Sequence, residues 1–165
     1  MEQNKVWSPT ATVAERVREA REQRRLTAQQ LADRLAAQGI AWQRSTVAKL
    51  ENGNRENVSL AEWLALAAAL NVAPVHLLVP IDAADDAAYQ VTPETLVPVA
   101  VAREWIRGSR QLPGERRREF TAQAPEGEWV SFDTTTPDGQ RAAIEWLKRS
   151  ELGTITTRGD SGEHR

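Results

Sequence analysis

The sequence predicts a mainly α protein, with five short helices packed as one unit over residues 12–80 and a smaller α or α+β region after it. Three observations predict this. Helix-start spacings recur directly ahead of apolar stripes of helical period. Gly, Asn and Pro punctuate the stripes at intervals short enough that neighbouring helices must pack on one another. The pattern then weakens beyond the small, acidic segment Ile81-Asp82-Ala83-Ala84-Asp85-Asp86, which reads as a seam. The expected organisation is a flexible start at 1–11, the helical domain at 12–80, a linker at 81–87, a second region at 88–152 and a polar tail at 153–165.

Helix one is expected from Thr12, because Thr12-Val13-Ala14-Glu15 has the Thr-x-x-Glu spacing that satisfies free amides at a helix start. Val13, Val17 and Ala20 give its inner stripe, and it runs to about Arg24. Thr27-Ala28-Gln29-Gln30 repeats the spacing and opens helix two, whose inner face is Leu31, Ala32 and Leu35. Gly39 suits the left-handed turn that ends it. Helix three is expected over 44–51, with Val47 and Leu50 inward, and Asn52-Gly53-Asn54 stops it. Ser59-Leu60-Ala61-Glu62 opens helix four, read with Leu60, Leu64, Ala67 and Ala68 on its buried face. Pro74 suits the first turn of a short fifth helix with Val75, Leu77 and Leu78, closed by Pro80. Farther on, 89–92 reads as a strand and 99–107 as a helix with Val101, Ala102 and Trp105 inward. Residues 128–132 alternate like a strand, and 139–152 form an amphipathic helix with Ala143, Trp146 and Leu147 together.

Composition excludes several classes. With 41% hydrophobic and 27% charged residues, the chain is not wholly disordered. No run of 18 apolar residues occurs, and the start MEQNKVWSPT has no apolar signal centre, so a cytoplasmic protein without a membrane span is expected. Zero cysteines and two histidines, His76 and His164, argue against disulfides, a thiolate zinc site and a metal centre, and no cofactor is expected. Net charge is −2, but residues 1–80 hold 10 Lys or Arg against 8 Asp or Glu, whereas 81–165 hold 11 against 15. The first part is therefore the better candidate for an anionic partner.

The informative feature is helix two, a turn, helix three and then Glu51-Asn52-Gly53, all inside the five-helix set. A helix held across the mouth of another can enter the DNA major groove and present its first turns to base edges. Four segments follow in order: Val17-Arg18-x-Ala20-Arg21-x-x-Arg24-x-Leu26-Thr27, Leu31-Ala32-x-x-Leu35, Ser45-Thr46-Val47-x-Lys49-Leu50-Glu51-Asn52-Gly53 and Leu64-x-Leu66-Ala67-x-Ala69-Leu70-Asn71-Val72. In these the chain resembles the phage-repressor-like, or xenobiotic-response-element, helix-turn-helix regulators. Two departures stand out. Residues 36–42 add about five positions between helices two and three, similar to a variant of actinobacterial regulators, and Ala28 replaces a frequent Gln, whose positioning contact is either missing or taken over by Gln29.

Carried onto this sequence, the resemblance implies that Gln43, Arg44, Ser45 and Lys49 read bases. Arg44 leads, because a planar guanidinium bonds both guanine acceptors, a pairing worth roughly 1–3 kcal/mol of discrimination; Gln43 suits adenine. Thr27, Gln29, Thr46, Asn52, Asn54 and Arg55 fall where the family contacts phosphates, which fixes register without reading sequence. Glu51 would be repelled by DNA, so it is expected to brace the motif through an Arg of helix one such as Arg21. Trp42 is expected to pack the extended turn, and Arg116-Arg117-Arg118, flanked by Glu115 and Glu119, reads as a solvated face.

One such module reads few base pairs, so a homodimer on two half-sites is expected, with the acidic second half and its Trp105, Trp129 and Trp146 as the pairing or sensing region. The phrase 102–108, followed by Leu112-Pro113, resembles one that recurs after such units in actinobacterial regulators. Catalysis is not expected: Ser109, Ser131, Ser150 and Lys148 carry no motif of a self-cleaving Ser–Lys domain. The expected function is a bacterial or phage DNA-binding regulator acting as a repressor. The alternative is an antitoxin or mobile-element accessory protein whose second half binds a protein partner while the first half regulates its own promoter.

Overall fold

Residues 5–125, 136–141 and 144–145 are described by the computed structural model. Helix α1 (Pro9–Gln23) begins almost one turn before the expected Thr12 cap. Pro9 takes its first position, where a missing amide is harmless and the ring's fixed φ already suits the helix. Thr12 lies inside the helix, fully buried, and its hydroxyl donates to the Ser8 carbonyl at 2.7 Å. The proline start thus overrides the Thr-x-x-Glu spacing.

Helices α2 (Ala28–Ala37) and α4 (Leu60–Leu70) open on the two expected capping boxes. The Thr27 hydroxyl accepts the Gln30 amide at 3.1 Å while Gln30 Oε1 accepts the Thr27 amide at 2.8 Å. Ser59 and Glu62 repeat this at 3.2 and 2.9 Å. Helix α3 (Arg44–Glu51) lies between them, and α5 (Pro74–Leu78) starts on its proline. Val13, Val17, Leu31, Leu35, Val47, Leu50, Leu66, Leu70 and Leu77 fill the core that the five helices share.

Helix α4 shows a different buried face from the expected one. Ala65, Leu66, Ala67, Ala69 and Leu70 point inward, Ala68 is exposed, and Leu60 and Leu64 are 75% and 52% exposed. The stretch LAEWLALAAAL is apolar on every side, so the 3.6-residue period allows two solutions. Leu66 and Leu70, one turn apart, fill the core in the solution the chain adopts.

Strand β1 (Ala88–Thr92) contains the expected strand 89–92 and pairs antiparallel with β2 (Thr95–Pro98), placing Tyr89 opposite Val97. Trp7 runs parallel beside it, donating its amide to Ala88 O at 2.9 Å and accepting that of Gln90 at 2.8 Å. Helix α6 (Val99–Ile106) follows β2 directly and buries Val99, Val101 and Ala102 against Tyr89 and Val79, while Trp105 is only half-buried. The buried Tyr89 hydroxyl donates to Leu78 O at 2.6 Å, and burial pushes its phenol well above the ordinary value. Residues 81–87, expected as a linker, are tied to α6 by the Ala100 amide on Asp85 O and by Arg103, which bonds Pro80 O at 2.9 Å and Asp85 at 3.4 Å.

Helix α7 (Arg117–Thr121) holds part of the arginine run. The chain through Phe120 forms one compact unit and residues from Thr121 another. In the second, 137–141 and 144–145 are helical; the expected strand 128–132, most of the expected helix 139–152, and Trp129 and Trp146 lie outside the described residues. The protein is thus mainly helical, with a five-helix N-terminal domain and a smaller region containing a two-stranded sheet.

Candidate nucleic-acid interface

Helix α3 has two unlike faces. Val47 and Leu50 are completely buried, whereas Gln43, Arg44, Ser45 and Lys49 are exposed and Thr46 is half-buried. Gln43 is the residue at which the helix begins, yet its side chain makes no cap bond, leaving its amide free toward solvent. The one carboxylate in 43–52 is Glu51, and it does not face outward. Arg21 of α1 grips it with Nε to Oε1 at 2.7 Å and Nη2 to Oε2 at 2.8 Å, with side chains 15% and 7% exposed. The bond to Glu51 raises the already high pKa of Arg21. Arg21 Nη1 also donates to Leu26 O at 2.8 Å. A single guanidinium therefore fixes α1, the α1–α2 turn and the end of α3, and strips the outer face of α3 of negative charge. The brace expected of Glu51 is this contact.

The extended turn is held as firmly. Gly39 adopts φ +82°, a left-handed conformation that side chains disfavour, and the Ile40 amide returns to Leu35 O at 2.9 Å. Trp42 is buried, its indole donating to Glu62 Oε1 at 2.9 Å, and the Arg55 guanidinium stands 4.6 Å from its ring while donating to the same carboxylate at 3.0 Å. The added residues thus anchor on the start of α4, which sets the point where α3 begins.

Glu62 accepts from the Ser59 amide, Trp42 and Arg55 together. Burial pushes its carboxyl up, but these three donors outweigh that and hold it below the ordinary 4.5. A lowered folded-state pKa stabilises above the unfolded value and is lost as pH falls through the folded one. Acidification below about pH 4.5 is therefore expected to destabilise the domain, and Glu62→Gln to remove part of this slope. At neutral pH the variant should melt roughly 5 °C lower, the equivalent of about 1 kcal/mol. Thermal unfolding of both proteins across this range checks it.

The remaining expected contact residues divide into two groups. Thr27, Gln29, Asn52 and Asn54 are exposed, although Thr27 also caps α2 and Gln29 donates to Asp33 at 2.8 Å. Arg55, by contrast, is half-buried and drawn to Glu62 and Trp42.

Residues 9–80 contain nine Lys or Arg. Arg16, Arg18, Arg21 and Arg55 meet carboxylates, and Arg24 and Arg34 meet the carbonyls of Asn71 and Ala69. The side chains of Arg25, Arg44 and Lys49 have no partner among the described residues. Sequence reasoning passed over Arg25, which sits at φ +54° between α1 and α2. Left-handed backbone costs a residue with a side chain about 1–2 kcal/mol. The signal available in the sequence is the brevity of the connection: two helices separated by only 24–27 need a left-handed residue to reverse the chain.

Residues 12–78 match the family model described as a helix-turn-helix domain. No curated protein and no solved structure matches the chain. Among the described residues, no helix is long and apolar enough to cross a membrane.

Proposed function

From the helix-turn-helix domain at residues 12–78, we propose that the chain is a sequence-specific DNA-binding transcriptional regulator of phage-repressor-like type. It lays α3 in the major groove as a homodimer and represses by occupancy, without catalysis. The observation that carries this reading is the outer face of α3: Gln43, Arg44, Ser45 and Lys49 exposed, two cations unpartnered, and the lone carboxylate turned inward. Arg44 bonds guanine and Gln43 adenine, with Ser45 and Lys49 completing the reading set. Thr27, Gln29, Thr46, Asn52 and Asn54 hold the backbone; Arg55 joins them only by leaving Glu62.

Two copies act together because specific affinities of roughly 10⁻⁸ to 10⁻¹¹ M generally require paired half-sites about one helical turn apart. The exposed Leu60 and Leu64 of α4 offer apolar surface for such pairing.

Selection of bound fragments from random or genomic DNA with the purified protein tests the reading. An enriched inverted repeat is expected. Enrichment of one unpaired half-site would contradict the dimer, and indifference to all duplexes at low salt would contradict the regulator. A second protein co-purifying at stoichiometric yield would favour the antitoxin or accessory reading.

A further inference from the structure

Among the described residues, only Arg25 and Asn71 combine a side chain with positive φ. Asn71 ends α4, and asparagine tolerates this conformation because its short amide bonds locally. Arginine has no such compensation, and glycine would relieve the strain. No internal contact explains the residue either, for Arg25 is exposed and its guanidinium lacks a partner among the described residues. Its neighbourhood does. Leu26, the next residue, gives its carbonyl to Arg21, whose other edge holds Glu51, so the turn at Arg25 is pinned beside the end of α3, where Asn52 and Asn54 are exposed.

Resting on the regulator reading above, we propose that Arg25 is a further DNA-contacting residue that clamps a backbone phosphate at the rim of the groove entered by α3. The planar fork of a guanidinium matches two phosphate oxygens at once, and an unpaired one is free to do so. Backbone strain at a position where glycine fits better is the trade expected of a residue kept for contact and not for folding. Arg55, by contrast, is engaged by Glu62 and Trp42.

The test compares wild type, Arg25→Gly and Arg25→Lys by thermal unfolding and by binding to a labelled duplex carrying the selected site and to a scrambled duplex of equal length, over a salt series. Arg25→Gly is expected to melt several degrees higher, yet to bind both duplexes roughly 5–10-fold more weakly, with the salt slope shallower by about 0.9. Arg25→Lys should keep that slope and most of the affinity. A gain in stability with unchanged affinity and slope would overturn the proposal and leave the regulator reading intact. A loss confined to one base pair would overturn it too, by making Arg25 a base reader. Wild type that binds neither duplex at low salt would overturn both.

Discussion

Arg21→Ala is expected to be among the most damaging substitutions in the domain, lowering its stability by about 3–5 kcal/mol, because it leaves the Glu51 carboxylate almost buried without a counter-charge. The Leu26 carbonyl loses its donor at the same time. Domains of this size have only about 5–15 kcal/mol in total, so the melting point should drop by more than ~10 °C. Arg21→Met combined with Glu51→Met should recover much of the loss, since an apolar pair leaves no buried charge. Calorimetry of wild type and the two variants checks this, and a double variant no more stable than Arg21→Ala would show that an unpaired Glu51 carboxylate is not the source of the loss.

Leu50→Ala should cost about 2–5 kcal/mol, the transfer term plus the cavity left in a fully buried site. Leu50 lies on the inner face of α3, one residue from Glu51, so the cavity opens directly beneath the outward face. Leu50→Met, which nearly conserves volume, should cost under about 1.5 kcal/mol. Denaturant titration by circular dichroism separates the two. If both variants equalled wild type, α3 would not be docked through Leu50.

Much of this organisation was legible in the sequence wherever a local contact decides the outcome. The boxes at Thr27–Gln30 and Ser59–Glu62 join residues three apart, so spacing alone announced α2 and α4. The Arg21–Glu51 brace was legible from charge: a carboxylate packed among the apolar residues of α3 needs a cation, and α1 carries one. Trp42 was legible as packing, because an inserted turn carrying an indole must anchor it.

What escaped depends on competition between sites far apart in sequence. The face of α4 is selected by the core and not by its own period, since leucines line both sides. The short β2 ends in Pro98 and exists only through pairing with β1. Nothing local in the sequence shows that Arg55, placed by the resemblance among phosphate contacts, also meets Glu62 and the Trp42 ring. Arg25 was invisible because its conformation, and not its type, marks it.

Binding of Arg44→Ala to the selected site and to a panel of its single-base variants tests most directly whether the outer face of α3 reads DNA bases. Arg44→Ala is expected to lose preference at one base pair, worth roughly 1–3 kcal/mol, while Asn52→Ala weakens all sites alike. Equal loss on every sequence for both proteins, or full retention of preference by Arg44→Ala, would contradict the assignment of that face.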